Sequence, residues 1–132
     1  MNKFFEEVEA ELVLYDTALD TGAGAVPTDP FVSLSDWRKC AFVIAAGGAP
    51  APFTAQVLEA TDAAGSGAQA LGDPVTVTVG GSGQVLGEVE VRADALSEGF
   101  SFVGLLLDGP NTISASVVAL RHAGRYLPPA ED

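Results

Sequence analysis

Apolar residues along this chain recur mostly with a period of two, and Gly, Pro, Asn and Asp clusters punctuate them. Residues 74–79 alternate cleanly, with Val75, Val77 and Val79 predicted inward and Thr76 and Thr78 outward. Residues 85–92 repeat the pattern, with Val89 and Val91 opposite Glu88, Glu90 and Arg92. Residues 112–120 place Ile113, Ala115, Val117 and Ala119 on one face and Thr112, Ser114 and Ser116 on the other. In residues 53–60, Phe53, Ala55 and Val57 share a face, opposite Thr54 and Gln56. Two further segments, 39–46 and 100–107, are almost continuously apolar and predict strands; the first is expected to be buried on both faces. Residues 31–34 predict a short strand, and 121–127 a last strand or extended tail stopped by Pro128 and Pro129.

The intervening residues are turn formers. Residues 21–30, 47–52, 61–67, 80–83 and 108–111 read as loops or hairpin turns. Ser35-Asp36-Trp37 predicts one helical turn, and residues 93–98 another, closed by Gly99 in the left-handed conformation. The leading segment reads two ways. Phe5, Val8 and Leu12 fit one face of a helix, whereas Val8, Ala10, Leu12 and Leu14 fit one face of a strand with Glu7, Glu9 and Glu11 opposite. The strand reading, ending near Tyr15, is preferred. About eight strands follow one another too closely for helical crossovers, so the expected fold is all-β: an antiparallel two-sheet sandwich of jelly-roll type. A chain of 132 residues with 48% hydrophobic side chains has material for one core. The expected division is an acidic segment or arm with its loop over 1–30, a sandwich domain over 31–128 and a tail over 129–132.

Charge narrows the function. The net charge is −12, of which −7 lies in residues 1–36. Binding to nucleic acid requires Lys and Arg to neutralise phosphates, so neither nucleic acid nor an anionic membrane is an expected partner. Cys40 is the only cysteine, which excludes an internal disulfide and a cysteine metal cluster; it reads as a small buried hydrophobe. The opening Met-Asn-Lys-Phe-Phe-Glu-Glu lacks the basic and long apolar regions of a secretion signal, so cytosolic synthesis is expected.

Reaction motifs are missing from the pattern. The single histidine, His122, has no nucleophile-elbow serine to serve; Gly65-Ser66-Gly67 and Gly81-Ser82-Gly83 lack the rest of that motif and sit between strands. Neither glycine-rich stretch carries the lysine of a phosphate loop. The acids at Glu7, Glu9, Glu11, Asp16, Asp20 and Asp62 do not fall at calcium-loop spacing. Trp37, Tyr15 and Tyr126 are the candidate rings for stacking on a sugar. The reading is non-enzymatic, with no catalytic, cofactor-binding or metal-ligating residue assigned.

Several segments resemble small structural proteins of tailed bacteriophages and prophages. They are Phe31-Val32-Ser33-Leu34-Ser35-Asp36-Trp37, the stretch from Gln56 through Ala60-Thr61-Asp62-Ala63-Ala64-Gly65-Ser66-Gly67 to Ala70, Glu98-Gly99-Phe100-Ser101-Phe102-Val103, and the ending Gly124-Arg125-Tyr126-Leu127-Pro128. The resemblance covers roughly residues 31–128. It implies a virion component made in the host cytoplasm: a capsid decoration protein on the outside of the head shell, or a head-spike base, neck or tail component. It implies as partners the major capsid protein, further copies of the chain in a homotrimer, and a fibre or spike protein. A carbohydrate- or receptor-binding module is the alternative of a different class.

Overall fold

The computed structural model describes residues 8–21, 26–47, 52–78, 85–109 and 112–124. Among them are ten strands: β1 (Val8–Asp20), β2 (Val26–Pro27), β3 (Val32–Ser33), β4 (Trp37–Gly47), β5 (Phe53–Ala60), β6 (Gln69–Ala70), β7 (Val75–Val77), β8 (Val85–Arg92), β9 (Phe102–Asp108) and β10 (Thr112–Gly124). Every pairing is antiparallel. One sheet runs β1-β10-β4-β8. The other is centred on β9 and β5, with the short β2 and β3 on the outer side of β9 and β6 and β7 on the outer side of β5. If β2 with β3, and β6 with β7, each count as one interrupted strand, the first strand pairs with the eighth, the second with the seventh, the third with the sixth and the fourth with the fifth. That nested pairing is the jelly roll, so the expected fold class is the observed one. The acidic leading segment contributes β1 and β2 to the two sheets.

The core lies between the sheets. Cys40, Phe42, Ile44 and Ala46 of β4 and Ala115, Val117 and Ala119 of β10 face Phe53, Ala55 and Val57 of β5 and Val103, Leu105 and Leu107 of β9. The inward positions expected for β5, β8 and β10 hold, apart from Ile113, whose side chain is not described. Four expectations do not, Val75 being the last. First, β4 is not buried on both faces: its alternate residues Ala41, Val43 and Ala45 lie on the outer side of the sheet, and Ala45 is exposed. Second, Ser35-Asp36 forms a turn closed by the Trp37 N–H to the Leu34 carbonyl (3.2 Å), and Trp37 already begins β4. Third, the helical turn after β8 is a 3-10 turn over Ala93–Ala95; Gly99, with φ of +86°, belongs to a separate turn closed by Phe100 N–H to Ser97 O (3.0 Å). Val75 is partly exposed and not a core residue, and the turns at 48–51 and 80–83 with Val79 and residues 125–132 lie outside the described residues.

The leading strand also departs from its pattern. It runs past Tyr15 to Asp20, and its register with β10 slips at Val13. Val13 and Leu14 crowd against Val117, the signature of a β-bulge. The Val13 carbonyl, displaced from the ladder, accepts the Asp29 N–H at 2.9 Å and so ties the two sheets together. Before the bulge, pairing with β10 puts Glu9 and Glu11 on the inward side, opposite Arg121 and Ala119, and leaves Val8, Ala10 and Leu12 outward. The strand forms as expected, its two sets lie on opposite faces up to Leu12, and the bulge then puts Leu14 on the inward side.

Two buried side chains fasten the second sheet. Phe31 sits on its outer face against Leu58 and Ala60, flanked by Phe102 and Leu106. It fits because Gly104 below and Gly65 above carry no side chain: a Cβ at either would lie 2.9 Å from the ring. The 61–68 turn folds over it, held by the Phe31 N–H to the Ala63 carbonyl (2.9 Å) and by the Asp62 carboxylate, which accepts the Ala64 and Ser66 N–H groups at 3.0 Å each. Glu59, only 1% exposed, accepts the Ser97 N–H (2.7 Å), the Ser97 hydroxyl (2.6 Å) and the Gln69 side-chain amide (2.6 Å). Burial raises its pKa, but the bonds from Ser97 and Gln69 outweigh that and leave it below the ordinary carboxylate value.

Replacing Phe31 with Ala is expected to cost about 3–5 kcal/mol in urea unfolding, because the ring is fully enclosed and its removal also frees the overlying turn. Glu59→Gln is expected to cost about 1–3 kcal/mol at neutral pH, where an amide meets the Ser97 donors in place of a carboxylate. Because the native pKa of Glu59 is depressed, its contribution is complete above the unfolded carboxylate value of about 4.3 and is lost as the pH falls through the native one. Unfolding curves of the wild type and the Glu59→Gln variant should therefore draw together as the pH falls below the unfolded carboxylate value of about 4.3.

Candidate assembly surface

Strand pairing sorts the residues of the first sheet into an inner and an outer set. The outer set joins Val8, Ala10, Leu12 and Tyr15 of β1, Ser116, Val118, Leu120 and His122 of β10, and Ala41, Val43 and Ala45 of β4 into one surface. Leu12 and Tyr15 are 56% and 68% exposed. Towards β8 the surface turns polar, where Lys39 meets Glu90 at 3.4 Å and Arg92 meets Asp94 at 3.3 Å. Among the described side chains, the charges on this face are Lys39, Arg92, Glu88 and Glu90, which sum to zero in a chain of net charge −12. A shallow recess of about 200 Å³ opens on it, lined by Val8, Lys39, Ala41, Glu90, Leu120 and His122.

The two outer faces of the sandwich differ in one respect. Phe31 and the 61–68 turn cover the apolar outer positions of the second sheet. Among the described residues no side chain is packed over the outer face of the first in that way. Scattered exposed hydrophobics are ordinary, whereas a contiguous apolar face marks a contact site.

Arg121 closes the end of the sandwich beside β1. Its side chain is 15% exposed, donates to Glu9 and to the Ser33 carbonyl (3.0 Å), lies 3.9 Å from Glu11 and stacks on the Trp37 ring at 5.2 Å. The cation thus binds the edge strand β1 to the second sheet, and its planar guanidinium suits both the carboxylate and the ring. Beside it, burial pushes the Cys40 thiol up to about 12, against a smaller opposing pull from Arg121 and the Leu120 backbone, so the thiol stays protonated and unreactive at neutral pH.

Among the described residues, the candidate residues of the sequence stand apart from one another. His122 lies on the outer face with Lys39 and Glu90, and the residues lining that recess bring no hydroxyl or thiol nucleophile. A second recess, of about 210 Å³, is lined by Leu34, Ser35, Ala93, Leu96, Phe100 and Ser101, none of them an acid or a base. Among the described residues no three His, Cys, Asp or Glu side chains stand together in a metal-binding group. Asp62 spends its carboxylate on its own turn, where bonds from Ser66 and then Ala64 hold it below its ordinary value. Of the three rings considered for sugar stacking, Trp37 is half-buried under Arg121, Tyr15 is exposed on β1, and Tyr126 lies outside the described residues. Glu7 and residues 81–83 also lie outside them, as do the side chains of Asp16 and Asp20.

The apolar outer face was not foreseen, although its residues signal it. Ala41-Val43-Ala45 and Val118-Leu120 make β4 and β10 apolar on both faces, and such strands read as doubly buried. Among the described residues no further layer lies over them, and that is a property of the fold. No protein-family model and no curated protein matches the chain.

Arg121→Met, which keeps the apolar stem but loses the charge, is expected to destabilise the protein by about 1–3 kcal/mol in chemical denaturation. Glu11→Gln, at the exposed and distant end of the same cluster, is expected to change stability by less than about 0.5 kcal/mol.

Proposed function

We propose that this chain is a non-enzymatic virion structural protein of a tailed phage, acting by contact as a decoration protein on the outside of the head shell. One observation carries the reading as a contact protein: a broad, largely apolar outer sheet face over which, among the described residues, no side chain is packed as Phe31 is over the other sheet. The phage placement draws on the resemblance of residues 31–128 to small virion proteins. The charge agrees with it, because a chain at −12 is repelled by packaged DNA inside a capsid and tolerated outside. The jelly roll recurs in viral capsid domains and also in lectins, so fold likeness adds support only by analogy.

In this reading the major capsid protein is the partner, and the chain stabilises the shell by binding the assembled lattice in preference to free subunits. A homotrimer matches the threefold positions that a shell offers. A head-spike base, a neck or a tail component uses the same surfaces at lower copy number. The sugar-binding alternative is less well supported, since the ring face of Trp37 is occupied by Arg121.

The test uses DNA-free expanded heads of a phage whose genome encodes this chain, stripped of their auxiliary proteins. The purified chain should co-sediment with them at near-stoichiometric ratio to the lattice positions and raise their melting temperature. Free chain in the supernatant at low and at physiological salt overturns the decoration reading. Binding of only about a dozen copies per head moves the chain to a spike or neck.

A further inference from the structure

The outer face of the β1-β10-β4-β8 sheet has a definite chemistry, and that chemistry selects its occupant. We infer that it is covered by a second copy of this chain, an inference that rests on the reading of the protein as one acting by contact but not on its placement on a shell.

Charge is the first reason. The chain carries twelve more acids than bases, yet the described side chains of this face include two of each, all towards the β8 side. A surface made for a basic partner would present carboxylates to it, since potentials across an interface are complementary. A surface made for another molecule of the same strong negative charge must keep its acids away. β1 does this directly: Glu9 and Glu11 are turned to the inward side, where Arg121 meets them, while Val8, Ala10 and Leu12 point out.

Size is the second. From Lys39 to Gly47 the face extends about 30 Å along the strands and about 19 Å across four of them. With side chains standing out of that plane, it approaches the roughly 800 Å² per partner of a stable protein–protein interface. Its central residues are small or β-branched (Ala41, Val43, Ala45, Val118), which suits flat sheet-on-sheet packing at about 10 Å. The edge position of β1 is the third reason, because a long edge strand exposing Leu12 and Tyr15 invites aggregation unless something covers it. Face against face gives a twofold dimer, and face against a neighbour's flank gives a closed ring such as the trimer.

The mass of the purified chain, followed by light scattering and sedimentation over a wide concentration range, tests this. The wild type should exceed the 13.4 kDa of one copy by a whole-number factor. Leu12→Glu/Tyr15→Glu, at two of the most exposed large apolar positions, should return it to one copy with an unchanged circular dichroism spectrum. Val75→Glu, at an exposed valine of the other sheet, should leave the assembly intact. A wild type of one copy at every concentration overturns the inference, as does a Leu12/Tyr15 variant that stays assembled or a Val75 variant that dissociates equally. Should the double variant fail to fold, hydrogen exchange of the wild type decides: β1 amides gain protection with concentration, and concentration-independent exchange of β1 overturns the inference. Loss of shell binding with intact self-assembly, or the reverse, separates this inference from the proposed function.

Discussion

A β-strand has two faces, and a two-layer sandwich covers only one face of each of its sheets. This chain is richer in apolar side chains than one interlayer core can absorb. Leu58, Ala60, Phe102 and Leu106 point out of the second sheet, and Val43, Val118 and Leu120 out of the first. The fold handles the two surpluses differently. On the second sheet Phe31 is pressed between Gly104 and Gly65, and a turn braced by Asp62 closes over it. On the first sheet no described side chain is packed over the apolar residues in that way. The internal cover and the open face are two answers to the same constraint, and the second is where the molecule has a surface to offer.

Polar groups in the structure act as fasteners at the ends of the layers. Glu59 gathers the Ser97 and Gln69 donors and pins the loop before β9 to β5 and β6. Arg121 reaches from the first sheet to Ser33 of the second and holds the Glu9 side of β1. The Val13 carbonyl takes the Asp29 N–H across the layers. The groups are spread over separate ends and edges. Such an arrangement orders backbone and does not assemble chemistry around one point.

Much of the architecture was legible from residue order. Alternation in 85–92 and 53–60, turn residues between strands and the absence of room for crossover helices lead to an antiparallel sandwich. Period two is not enough everywhere. In β1 the alternation of Glu with Val, Ala and Leu is regular up to Leu12, but which set points inward depends on register with β10, and one bulged residue at Val13 exchanges the faces. In β4 a run of apolar residues looks the same whether its second face is covered by protein or open. The candidate surface was hidden by that same degeneracy.

By itself the amino-acid order determined the local quantities: which segments are extended, where they turn, how much apolar surface there is, that the chain is strongly acidic, and that its lone thiol and lone histidine have no catalytic neighbours in sequence. These follow from steric preference, side-chain alternation and charge, each of which acts over a few residues. Only the tertiary structure decided the pairing of first strand with last, the facing of Glu9 and Glu11 towards Arg121, the burial of Glu59 against Ser97, and the choice of which outer face is covered. Those depend on contacts between residues dozens of positions apart, and the periodicity of a single strand carries no information about the strand that will lie beside it.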